Sequence, residues 1–125
     1  MRAVLDAGAF VAIDKRDRRV GAMLRVLQQR RVPLVTSAAV VAQVWRDGAK
    51  QALLARVLSG VEVRALTPGD DKRTGELLAL TRSTDVIDAH LVLGIEASDT
   101  VFTSDPDDIA RLLEARAIDA AVVVV

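Results

Sequence analysis

The sequence predicts a three-layer α/β/α domain whose sheet is mostly parallel and about five strands wide. Three observations carry that expectation. Short apolar runs alternate with stretches of helical periodicity, the pattern of a sheet whose strands are joined by crossover helices. Apolar residues make up 51% of the chain and aromatics only 2%, so the core must be built from aliphatic side chains. Aspartates close several of the apolar runs, and in a parallel sheet the carboxyl ends of the strands line one crevice.

Taken in order, Ala3–Leu5 reads as a buried strand, and Asp6-Ala7-Gly8 as the turn into a helix. The basic run Lys15-Arg16-Asp17-Arg18-Arg19 precedes a helix on which Val20, Met23, Leu24 and Leu27 recur at helical spacing. Residues 33–35 form the second strand, with Thr36-Ser37 capping a helix from Ala38. Gly48 is expected to break or bend that helix, and Ala52–Leu58 to continue it. Residues 61–66 alternate as a third strand does, and Thr67-Pro68-Gly69-Asp70 turns into a helix through residues 75–80. A further helix is expected over 85–97, a strand over Thr100–Thr103, a helix over 108–115 and a last strand over 120–125. The unbroken Val122-Val123-Val124-Val125 suits a strand covered on both faces, or one masked by a partner. With 125 residues and no linker, repeat or low-complexity tract, a single domain over 1–125 is expected.

Composition removes several function classes. No cysteine is present, which excludes disulfides and thiolate zinc sites, and one histidine makes a poor zinc or copper site. Oxygen chemistry remains, the preference of Mg²⁺ and Mn²⁺. No apolar stretch reaches the length of a membrane span, and Asp6 and Asp14 interrupt the only run that could serve as a signal peptide. A soluble cytoplasmic protein without membrane contact is expected. Residues 1–64 hold 12 of the 17 Lys and Arg and 5 of the 17 Asp and Glu, and residues 65–125 the reverse. That split suits a basic surface for a polyanion beside an acidic metal centre, or plain charge alternation over a solvated surface.

Each aspartate also has a structural use. In Ser104-Asp105-Pro106-Asp107-Asp108, Asp105 can cap a helix with proline at its first position and acids in its first turn. Asp85 can cap the helix carrying Asp88 three residues on. Asp6 is harder to explain this way: it ends a buried strand with no opposite charge nearby in sequence. A carboxylate half-buried there costs several kcal/mol unless it is paired or coordinated.

Four segments together resemble the PIN-domain family, and within it the VapC-type toxins of bacterial toxin–antitoxin pairs. They are Val4-Leu5-Asp6-Ala7-Gly8-Ala9-Phe10, Ser37 through Arg46, Asp85-Val86-Ile87-Asp88-Ala89-His90, and Val101 through Asp108. The resemblance covers essentially the whole chain. It implies a Rossmann-like sheet and a Mg²⁺- or Mn²⁺-dependent ribonuclease. It places the acidic quartet on Asp6, position 43, Asp88 and Asp105, with Asp107 or Asp108 as auxiliaries. Asp6, Asp88 and Asp105 are then the catalytic and metal-binding residues, with Thr103, Ser104 and Arg46 as candidate substrate contacts. An antitoxin protein, an RNA substrate and homodimerisation follow from the same resemblance.

Position 43 departs from the family pattern, carrying Gln where PIN domains carry Glu. Its amide oxygen can bind a cation but adds no charge. Asp47, expected one helical turn further on, is a possible substitute. The departure keeps open a PIN-like domain that binds RNA or protein without cutting. His90 is read as a core or surface residue rather than a ligand, and Trp45 as packing rather than base stacking. The Lys15–Arg19 run, like Arg46, is a candidate for phosphate contact. A phosphoacceptor receiver domain fits poorly, because Asp6 is followed by Ala-Gly and the only lysines are Lys15, Lys50 and Lys72. Haloacid-dehalogenase-type phosphatases need a second Asp where this chain has Gly8.

Overall fold

The computed structural model describes all of residues 1–125. Its sheet contains five strands, all parallel, in the order β3-β2-β1-β4-β5. These are β1 (Ala3–Leu5), β2 (Leu34–Ser37), β3 (Val61–Arg64), β4 (Thr100–Thr103) and β5 (Ala121–Val124). The helices are α1 (Ala7–Asp14), α2 (Arg18–Gln29), α3 (Ala38–Val44), α4 (Ala52–Leu58), α5 (Asp70–Thr81), α6 (Val86–Leu93) and α7 (Pro106–Ala115).

Every residue of β1 and β2 is buried, as are Val101, Phe102 and Thr103 of β4. Successive strand residues point to opposite faces, so unbroken burial means helices cover both sides. This is the three-layer arrangement the alternation predicts. Phe10, Leu54, Ile95, Ile109 and Leu112 are the largest aliphatic or aromatic side chains sealed in the core. The outer strands differ: β3 and β5 are half-exposed, with Ala121 and Val124 open to solvent. The valine run is therefore an edge strand, which overturns the expectation that it is covered on both faces.

Three boundaries also move. The third strand stops at Arg64, and α6 stops at Leu93 with Gly94 as its C-cap, well short of residue 97. The helix from Ala38 ends at Val44, ahead of Gly48. A buried glutamine explains the third change. The Gln51 Oε1 accepts the amides of Arg46 (2.7 Å) and Asp47 (3.0 Å), while its Nε2 donates to the Val44 carbonyl (3.0 Å) and to Asp14 (3.1 Å). One side chain thus satisfies backbone groups orphaned where α3 stops. Asp47 consequently lies outside α3 and is not one helical turn beyond position 43, so the proposed substitution fails.

The strand order reverses beside β1. Chain order runs outward from β1 through β2 to β3, then returns to the other side of β1 for β4 and β5. Such a reversal opens a crevice at the carboxyl ends of the two central strands, where open α/β sheets bind ligands. Leu5 pairs with Phe102 at that end, so the residues that follow, Asp6 and the 103–108 turn, meet at the mouth of the crevice.

Candidate metal centre

Asp6 enters the crevice as the last residue before α1. Its amide donates to the Phe102 carbonyl (3.1 Å), and its Oδ1 accepts the Ala9 amide (3.1 Å). The residue is 3% exposed. Burial raises its pKa, against hydrogen bonds from the Thr103 hydroxyl and from the Ala9, Ser104 and Gly8 amides that favour the charged form. Asp6 is therefore a helix cap and a buried anion at once. Gly8 makes that approach possible: a Cβ there would collide with Ser104 Oγ and lie 2.6 Å from the Ser104 Cβ.

At the N-terminus of α7 the capping expectation does not hold. Asp105 occupies the N-cap position, but its side chain accepts no helix amide. Thr103 Oγ1 instead accepts the Asp105 amide (2.9 Å). The Asp105 carboxylate is left facing its neighbours. At α6 the cap is made, with Asp85 Oδ1 accepting the Asp88 amide (2.9 Å). That bond sets Asp88 on the first turn, turned toward the same crevice.

Asp88, Asp105 and Asp108 converge. One carboxylate oxygen from each lies within 4.8 Å of the other two. Twice a Ca²⁺–O bond is about 4.8 Å and twice a Mg²⁺–O bond about 4.2 Å, so small side-chain shifts let one divalent ion touch all three. Three carboxylates make a hard oxygen donor set, which fits Mg²⁺, Mn²⁺ or Ca²⁺ and not a soft metal. The electrostatics are those of a site short of positive charge. Desolvation, then repulsion from Asp85, Asp6, Asp105 and Asp108, raises the pKa of Asp88 to about 7. Asp105 is raised too, by desolvation and then by Asp108, Asp85 and Asp6. The only cation on the trio is Arg111, 2.9 Å from Asp108 in an exposed i,i+3 pair, an arrangement that contributes little.

The other candidates fall as follows. Asp6 is felt electrostatically by Asp88 and Asp105 but is not one of the three carboxylates that share the 4.8 Å spacing. Asp107 is exposed and outside the trio, whereas Asp108, expected only as an auxiliary, is inside it. Gln43 is exposed on α3 and forms no side-chain hydrogen bond. Thr103 is buried and Ser104 exposed at the rim. Arg46 turns back to the carbonyls of Ala42 (3.1 Å) and Trp45 (2.6 Å) at the end of α3. His90 is fully buried away from the carboxylates, with the Ala65 backbone nearby and neither ring nitrogen in hydrogen-bonding geometry. Trp45 remains 37% exposed.

No family model matches the chain, and no curated protein does. Solved structures do share the fold. One is a crystal structure of VapBC2 from Rickettsia felis bound to a DNA fragment from its promoter, at TM-score 0.71 and 18% identity. The alignment covers 100% of this chain and 99% of that one. Another is FitAB bound to an IR36 DNA fragment, at TM-score 0.65 and 17% identity, covering 98% of this chain and 94% of that one. Neighbours this distant establish the architecture over its full length. No helix is long and apolar enough to cross a membrane.

Proposed function

We propose that this chain is a metal-dependent endoribonuclease acting as the toxin of a toxin–antitoxin pair. The observation that carries the reading is the convergence of Asp88, Asp105 and Asp108 at the reversal point of a parallel sheet. The fold shared with chains of the VapBC2 and FitAB complexes supports it, because the sequence motifs resemble VapC-type toxins. Asp88, Asp105 and Asp108 would hold Mg²⁺ or Mn²⁺, with Asp6 behind them as a buried anion oriented by Thr103. A bound ion supplies a water of lowered pKa and a polarised phosphate. The chain's own contribution is to fix the carboxylates: Asp85 seats Asp88, Thr103 seats Asp105, and Gly8 lets the Ser104 turn close over Asp6. Ser104 at the rim is available to a substrate phosphate. A small antitoxin covering the crevice and a homodimer belong to the same proposal.

The test is cleavage of a structured RNA with Mg²⁺ or Mn²⁺. Asp88→Asn should lower the rate by on the order of a hundredfold or more, since even groups that only support metal ligands contribute tenfold to a hundredfold. Cleavage that persists in that variant with chelator present sinks the nuclease reading.

Two observations favour a second reading, a domain that binds RNA or protein without cutting. Gln43 is neutral where the resembled family carries Glu, and Asp6 stands apart from the trio. Gln43→Glu should raise Mn²⁺ affinity and cleavage if the site is an attenuated nuclease. No gain in either, with no cleavage by the parent chain, favours the binding module.

A further inference from the structure

Away from the acidic crevice, the turn between α1 and α2 packs against α4 around a cavity of about 600 Å³. Arg16, Arg18, Arg25 and Arg56 line it, with Asp17 the one carboxylate among them. Asp17 is engaged elsewhere: its Oδ1 accepts the Val20 amide at 2.9 Å as the N-cap of α2. None of the four guanidiniums makes a side-chain hydrogen bond or ion pair within the chain. Elsewhere Arg2, Arg64 and Arg111 reach carboxylates and Arg19, Arg46 and Arg116 reach carbonyls. Arg30, Arg31 and Arg82 are also unpaired but line no cavity, so what sets the four apart is the concavity they share. Four like charges around one concavity repel each other and are stabilised by an anion placed between them.

The floor narrows the choice of anion. Ile13, Leu24, Leu53 and Val57 form it, so the cavity is aliphatic below and cationic at its rim. Its volume falls within the range of small-molecule sites, about 300–1,000 Å³. A path for a nucleic-acid backbone would instead run as an open stripe of cations. Guanidiniums bind phosphate oxygens in pairs and stack on flat rings, so phosphates at the rim and a planar body on the floor satisfy both parts. The cavity lies at the far end of α1 from Asp6, about 10 Å along the helix.

We propose that this cavity is a second binding site, for a nucleoside polyphosphate, separate from the acidic trio. The inference does not depend on the nuclease reading. Calorimetric titration of the full chain in EDTA tests it, because without free metal the acidic crevice has no bridge to a phosphate. The probes are ATP, adenosine, inorganic tripolyphosphate and a single-stranded octaribonucleotide. ATP should bind at least about tenfold more tightly than tripolyphosphate or adenosine. Replacing both Arg25→Ala and Arg56→Ala should weaken ATP by on the order of a hundredfold, roughly tenfold for each charge-assisted contact. Both side chains are exposed, so circular dichroism should show the variant folded. Asp88→Asn with Asp105→Asn should leave ATP binding unchanged. No ATP binding, or equal binding by the arginine variant, overturns the proposal. So does tripolyphosphate matching ATP, which would mean a plain cation patch. An octaribonucleotide that outcompetes ATP and depends on the same arginines would overturn it in favour of an RNA path.

Discussion

The two ends of β4 treat carboxylates in opposite ways. Asp99, just before the strand, is 2% exposed and held by Arg2 in a two-point pair, with the Arg2 Nη2 at 2.7 Å and its Nε at 3.1 Å. The Glu96 amide adds a third bond (2.8 Å). Burial alone would raise this carboxyl, but Arg2 and the Glu96 amide outweigh it and hold the pKa below the usual carboxylate range. Asp105, just after the strand, faces Asp88 and Asp108, and no arginine bridges the three. One strand therefore begins at a charge pair built for stability and ends at a charge deficit. The buried acid at one end has its partner within the chain, whereas the trio at the other end gathers negative charge with only the exposed Arg111 beside it.

The largest effect should come from breaking the paired end. Asp99→Ala should destabilise the fold by about 3 kcal/mol, the lower end for a buried pair because Arg2 is partly exposed. Urea unfolding measures it, and divalent-ion binding by the folded variant should be unchanged. The open end should be sensitive to shape. Gly8→Ala drives a methyl into Ser104 and should cost about 2 kcal/mol as an overpacking change. It should also weaken Mn²⁺ binding, which Asp99→Ala does not; calorimetry of the two variants separates them.

The most diagnostic effect is that of pH, which acts on the two ends with opposite sign. In the native chain Asp88 keeps its proton up to about pH 7, whereas the unfolded chain loses it near 3.8. Without metal, stability should fall as pH rises between those values, and the penalty is complete above 7. Asp99 is depressed, so its stabilisation is present above the unfolded value and disappears as pH falls through the native one. On these two groups the metal-free chain should be most resistant to heat near their shared unfolded value of 3.8 and lose resistance on either side of it. Added Mn²⁺ should raise the midpoint more at pH 8 than at pH 5. Equal shifts at both would mean that the trio does not take the ion.

Much of this architecture was legible in the residues. The apolar runs located all five strands, and Ser37 and Asp85 cap the helices their sequence positions predict. What escaped the sequence depended on partners distant along the chain. Gln51 ends α3 by reaching back to residues 44, 46 and 47, and nothing in its local sequence distinguishes it from an exposed glutamine. Asp108 enters the trio because α7 begins at Pro106 and turns its third residue into the crevice, a matter of helix phase. Asp105 matched a cap motif that the backbone at Thr103 pre-empted. Charge pairing was the least legible feature: Arg2 and Asp99 meet only because β1 and β4 lie side by side.

That adjacency orders events during synthesis. β1 leaves the ribosome about a hundred residues ahead of β4, and one of its edges is unpaired until β4 emerges. A nascent chain can assemble β1, β2 and β3 beforehand, yet Asp6 then faces open water. The crevice acquires both of its walls in one late step, so whatever chemistry the carboxylates perform is withheld from every shorter intermediate.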